Sequence, residues 1–366
     1  MSEFRIDKIT NRDGSAGTQI AGVSTFSGTS GMQIPTGPTE YRGGRGRGLV
    51  YGGFGSSPVG DEIDMIEIAT TGNSVDFGNA PFRVVYPTGC SSSVRAVFIG
   101  GEEVGSPMSS PGYNEMNYVN FASQGGATDF GKLDTTTAYG AMVTGNNTRA
   151  VINSGYGGVG KGFQDYIEIA SQGNGTFWGD EYQSGTRWYG GDCASPTRGV
   201  LMGGIQSVTG TYDESQGTGG ATANDGTKYM RYVTFSTFGS SEHFGELSFV
   251  SRYGSGTGSS TRGISVQGSA IGTAECTNTI DYITIATTGN SADFGDLTVE
   301  RNITTSTGSQ TRGVISAGQA KPSPHASQDV MDYVTIATLG NAIDFGNLTA
   351  VRFGPGSASD CHGGIG

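Results

Sequence analysis

The chain has 366 residues, 65 of them glycine, and a formal net charge of −12. Glycine lies far above its usual ~7% without a strict every-third-residue period, which excludes collagen, and plentiful aromatic and β-branched residues argue against disorder. The acidic balance opposes nucleic-acid binding through phosphates, and no run of 18 apolar residues exists to cross a bilayer as a helix.

In chain order, the first forty-odd residues are a distinct text. Short apolar runs alternate (Phe4, Ile6, Ile9; Val23, Phe26; Met32, Ile34) with no copy elsewhere. This stretch, residues 1–43, is too short to bury its own core and reads as an extended attachment or oligomerisation segment. It lacks the apolar core of a secretory signal, so export by the general secretory route is not expected. The basic Arg42–Arg47 run reads as a linker.

From residue 44 to 366 the chain repeats itself. A long phrase, DYITIATTGNSADFGDL at Asp281–Leu297, recurs in degraded form from Asp64, Asn117, Asp165, Arg231 and Asp332. A short phrase, TRGVISAG at Thr311, alternates with it around Arg47, Arg95, Arg149, Arg198 and Arg262. The glycines closing the long phrase stand about fifty residues apart, except for one interval of 66 from Gly179 to Gly245. Fixed-period similarity of this length means a repeat architecture.

Each unit offers about three clear strands. One is the short apolar run, such as Gly313–Ala317, whose terminal glycine suits a crowded inner strand. A second lies in the long phrase, where Tyr282 and Ile283 alternate with bulk on both faces, as stacked sheets require. A third is expected after the closing glycine (Leu297–Ile303, Leu348–Phe353), and a fourth in the poorer segment before the next arginine. Four short strands per unit describe a propeller blade.

The arginine, Gly-Gly and aromatic spacing resembles kelch repeats, with the phenylalanine of DFG standing where kelch carries tryptophan. The expected fold is therefore all-β: a six- or seven-bladed kelch-like β-propeller preceded by the N-terminal segment. Ser359–Gly366 either completes the first blade or begins a seventh. A β-solenoid fibre is the alternative, disfavoured because its coils have shorter periods.

DFG recurs without any phosphate loop. Ser291–Gly295 instead resembles the Asp-box turn of sialidase-type propellers, which implies that Asp76, Asp129, Asp293 and Asp344 accept backbone N–H groups in turns and that the glycine takes a positive φ. The TRG arginines are expected to brace neighbouring blades by pairing with Asp64, Asp165, Asp281 and Asp332, rather than to form an anion-binding ring. No calcium loop, no ligand spacing among His243, His325 and His362, and no nucleophile–histidine arrangement is legible; no metal, cofactor or catalytic residue is expected. Cys90 and Cys193 precede their arginines by five residues each, at equivalent places in different units, which predicts free thiols.

Function is better sought where the copies disagree. The third unit holds both tryptophans: Trp178 replaces the DFG phenylalanine and reads as core. Tyr182, Trp188 and Tyr189 beside carboxylates suit sugar rings, with loop packing or a subunit interface as the alternative. The fourth unit inserts Val208–Lys228, which reads as an exposed loop.

The opening EFRIDKI, the following NRDGSAG and the IPTGPTEYR at Ile34–Arg42 resemble the N-termini of virion and tail-fibre-like proteins of tailed phages. The repeats are similar to those of virion proteins from phages of marine cyanobacteria. This resemblance implies a virion component assembled in the host cytoplasm, contacting other virion proteins through its N-terminal segment. It further implies a homo-oligomer, trimeric if a fibre, whose propeller meets a host-surface glycan or protein. A capsid decoration protein and a glycan-degrading propeller are the alternatives.

Overall fold

The computed structural model describes residues 26–27, 31–32, 46–55, 60–103, 114–134, 139–153, 155–156, 162–180, 186–207, 225–270, 275–320 and 326–365. The chain divides into one unit at Met1–Glu40 and another at Tyr41–Gly366. In the first, Phe26–Ser27 pairs antiparallel with Gly31–Met32. The rest of the expected attachment segment 1–43 lies outside the described residues, apart from these four.

The second unit is a β-propeller of four-stranded antiparallel sheets. Among the described residues it contains no α-helix, only a single 3₁₀ turn at Gly363–Ile365. Five blades are each drawn from one contiguous stretch, with strands paired in chain order. Blade A comprises Thr88–Ser91, Arg95–Ile99, Glu115–Asn120 and Thr128–Lys132. Blade B comprises Met142–Gly145, Arg149–Asn153, Phe163–Glu168 and Thr176–Asp180. Blade C comprises Gly191–Ala194, Arg198–Met202, Asp225–Thr234 and Glu242–Arg252. Blade D comprises Ser255–Gly258, Arg262–Val266, Thr279–Thr284 and Ala292–Asp296. Blade E comprises Thr305–Gly308, Arg312–Ser316, Ala326–Thr335 and Ile343–Phe353.

One further sheet is composite. Gly356–Ser359 pairs with Arg47–Tyr51, which continues through Glu62–Glu67 to Val75–Asn79. The first strands of this closing sheet and of blades A to E touch one another in cyclic order. The expected count of six or seven is thereby corrected to five contiguous blades and one composite sheet. Ser359 ends the strand that completes the closing sheet, so no seventh blade starts there.

Two strand assignments also change. The short phrase is the second strand, not the innermost. The innermost strand is the poorer segment before it (SGTG, TSTG, GSAS), where small residues let neighbouring strands crowd the axis. DFG lies in the outer strand itself, where its phenylalanine is the residue skipped by a register shift in the pairing with the third strand, and not in a turn ahead of it. Asp76, Asp129, Asp293 and Asp344 are exposed on that strand, so the Asp-box expectation fails. The positive φ holds, at +151° for Gly78 and +147° for Gly295.

The seam between neighbouring sheets explains what the repeat encodes. A Cβ on Gly295 would lie 2.5 Å from the carbonyl oxygen of Gly340 in the next blade's turn. The same meeting recurs at Gly131 with Gly173, Gly245 with Gly289, and Gly346 with Gly72. The turn answers with one donor and one acceptor: Gly340 N–H bonds the Phe294 carbonyl at 2.9 Å, and Asn341 Oδ1 accepts Asp296 N–H at 3.1 Å. Glycine is required because only it combines this φ with such backbone approach. Below each seam an apolar cluster joins the two sheets, as where Ile264 and Phe294 of blade D meet Ile315 and Val334 of blade E.

The TRG arginines do brace neighbours, but not through the expected carboxylates. Arg95 reaches the Ile169 and Ala170 carbonyls of the next blade at 3.0 Å. Arg198 reaches Ile285 and Ala286, Arg262 reaches Ile336, and Arg312 reaches Ile68 of the closing sheet. Each guanidinium also covers its own blade's tyrosine, as Arg312 does Tyr333 at 4.3 Å. The aspartates bond backward instead. Asp281 accepts Ser248 N–H of blade C, and Asp332 accepts the Thr298 hydroxyl at 2.7 Å and pairs with fully buried Arg301 at 3.1 Å. Asp165 is buried too.

Two predictions follow the seam. Gly295→Ala lowers unfolding free energy by about 2 kcal/mol or more, whereas Gly289→Ala, with open space around its Cβ, stays within about 1 kcal/mol. Equal effects in denaturant titration would contradict the seam argument. Arg312→Ala loses a charged hydrogen bond and a ring contact, together about 1–3 kcal/mol; a loss under about 0.5 kcal/mol would show that the bracing is decorative.

Candidate functional site: a tyrosine-capped axial cavity

The two rims of the propeller differ in how they are built. On one, the turn between first and second strands is always three residues, as in 92–94 and 309–311, and that between third and fourth always seven, as in 68–74 and 336–342. The other rim carries the connections from second to third strand and from each blade to the next, whose lengths differ from unit to unit. Differences between copies therefore collect on one rim.

At the centre of this variable rim six equivalent residues precede the innermost strands: Tyr86, Gly140, Tyr189, Tyr253, Ile303 and Gly354. All have left-handed backbones, with φ from 54° at Ile303 to 63° at the two glycines. Neighbours are linked by main-chain bonds. Gly140 N–H meets the Tyr86 carbonyl, and Tyr189 meets Gly140 at 2.9 Å; Ile303 meets Tyr253 at 2.9 Å, Gly354 meets Ile303, and Tyr86 meets Gly354 at 2.7 Å. Between Tyr189 and Tyr253 the rings pack at 5.0 Å. A non-glycine residue at such φ costs about 1–3 kcal/mol, so the bonds hold Ile303 and the three tyrosines in a conformation they would not choose, while Gly140 and Gly354 adopt it freely.

The tyrosine side chains cluster with Tyr139 at ring separations of 4.8 to 5.6 Å. Tyr189 donates to Tyr139, which donates to buried Glu102. Burial pushes the Tyr139 phenol up to about 12, the Tyr86 and Tyr189 phenols further, and the Glu102 carboxyl above its usual range.

Beneath this cluster lies a cavity of about 150 Å³ along the axis. Its wall includes the second residue of each innermost strand: Gly89, Val143, Asp192, Gly256, Ser306 and Ser357. Its floor is built by His362 and Gly363, where main chain packs so closely against Ala194 and Ser259 that a Cβ on Gly363 would have no space. The His362 imidazole donates from Nε2 to the Ser91 carbonyl at 3.0 Å and accepts Gly364 N–H at Nδ1. Burial lowers its pKa, so it stays neutral.

Asp192 is the one charged residue among these six wall positions. Its surface faces the cavity, and burial pushes its carboxyl up to about 8. No donor among the described residues bonds it. Cys90 and Cys193 occupy equivalent third positions in the innermost strands of blades A and C; both are buried and free, with thiols pushed up by burial and by Asp192.

The residues proposed for sugar contact separate. Tyr182 lies outside the described residues. Trp188 is 3% exposed and packs on Tyr156 at 5.1 Å, which leaves its faces covered. Tyr189 joins the axial cluster. Trp178 is core, as its place in the repeat predicted. The insertion Val208–Lys228 is described only from residue 225. Sequence reasoning missed Tyr86 and Tyr253 and took Asp192 only as one of the carboxylates beside Trp188 and Tyr189, although a signal was present: the left-handed residues stand nine positions before each TRG arginine, from Tyr86 and Arg95 to Ile303 and Arg312.

The raised carboxyl has a sign. An unfolded aspartate titrates near 3.9, so between about pH 4 and pH 8 the folded state holds the extra proton. Its contribution to stability is fully present below pH 4 and is lost as pH rises through 8. Asp192→Asn removes this loss: its melting temperature, relative to the unsubstituted chain, rises from pH 5 to pH 9, and a constant offset would refute the assignment. Comparison with protein-family models finds no match, and a search among curated proteins finds no similar sequence.

Proposed function

We propose that this chain is a structural component of a tailed-phage virion, a tail fibre or similar appendage, whose propeller presents a rigid face to the host surface. One observation carries the proposal: the repeated residues go into seams and constant turns, while the connections of differing length gather on a single rim around the axial cavity. That is the construction of a stable platform for recognition. The separation of Met1–Glu40 from the propeller unit supports a division between attachment and presentation. The resemblance of EFRIDKI, IPTGPTEYR and the repeats to phage virion proteins supports the location.

On this reading the blades are kelch-like, and the chain works by binding rather than catalysis. Fibres of this kind assemble as homo-oligomers, trimers above all. The decisive measurement is the copy number and position of the chain in purified phage particles, by quantitative mass spectrometry and cryo-electron microscopy. A tail-symmetry number at the tail supports the proposal. A capsid-lattice number makes it a decoration protein, release of reducing sugar from host envelope makes it a depolymerase, and absence from particles refutes a virion role.

A further inference from the structure

We propose that the mouth formed by Tyr86, Tyr189 and Tyr253 binds a primary ammonium group, with the nitrogen paired to Asp192 and the adjoining C–H groups against the phenol rings. This goes beyond the virion reading and holds whatever particle or cell carries the chain. Three tyrosines and one carboxylate line the same small cavity. The two serine hydroxyls level with Asp192 are already engaged: Ser306 Oγ lies 2.6 Å from Ser255 Oγ, and Ser357 Oγ donates to the Ser306 carbonyl at 2.9 Å. The carboxylate is the one ionisable group at this level of the wall, and no donor among the described residues bonds it. Aromatic walls around a single negative charge attract an organic cation. A hard metal ion demands six or more oxygen ligands, and no group of three His, Cys, Asp or Glu side chains that could hold a metal exists among the described residues. The volume of about 150 Å³ admits an aminoalkyl end.

The groups facing Asp192 are Cys90, Cys193, His362 and the three phenols. Burial raises the thiols and the Tyr86 and Tyr189 phenols and lowers His362, so Asp192 governs the response between pH 6 and 9. The test is calorimetric titration of the full chain with methylammonium chloride at pH 6.5 and 8.5, with calcium chloride as comparator. Saturable one-to-one binding is expected at pH 8.5, more than tenfold weaker at pH 6.5 because the carboxyl is then protonated. Asp192→Asn abolishes it and Tyr253→Leu weakens it severalfold. Equal affinity in Asp192→Asn, binding of calcium in place of methylammonium, or no saturable binding at pH 8.5 overturns the proposal.

Discussion

Main chain meeting main chain between neighbouring sheets is the constraint on which this propeller rests. Where an outer-strand glycine abuts the turn of the next blade, there is no room for a Cβ, and the turn's glycine and asparagine are placed to bond across the gap. The long phrase thus contributes to two seams: its TTGN receives the previous blade and its DFG presents to the next. The arginine of the short phrase fastens the same neighbour at a second point. Repetition follows from this, since each unit must fit a copy of itself on both sides.

The seam between blades B and C departs from the rule in an instructive way. Trp178 and Phe238 meet there at 4.7 Å, and Arg149 lies over both rings and Tyr166. Phe177 replaces the usual aspartate and is 51% exposed, and Phe238 is 58% exposed. Aromatic contact takes the place of the asparagine bond, so the ring tolerates one seam of different chemistry when added apolar surface compensates.

Much of the architecture was legible because periodic residues report contacts that recur in every unit. The repeat length, the four-strand blade and the buried role of Trp178 could all be read from it. The poorer segment was expected to be a strand, but its innermost place was hidden because its residues are small and its two sides both face neighbours, which erases the alternation that marks a half-buried strand. The arginine partners were misassigned because carbonyl acceptors leave no mark in a sequence, whereas aspartates do. Trp188 looked like a surface ring by composition alone; its burial depends on the ladder of Thr186–Trp188 with Ile205–Ser207, a pairing between segments with no shared pattern. Asp192 did not stand out from the other carboxylates beside Trp188, because its chemistry depends on burial at the axis, which one sequence position does not report.

The composite sheet has a consequence for how the molecule comes apart. Arg47 and Asp360, 313 positions apart, exchange main-chain and side-chain bonds in the arrangement that Arg262 and Ser259 make within a single hairpin. An open array of repeats loses its outermost member by breaking one boundary, and so frays from its ends. A circle has no outermost member. Releasing any blade here breaks two boundaries at once, which disfavours partial opening and drives the six sheets to melt as a single cooperative event.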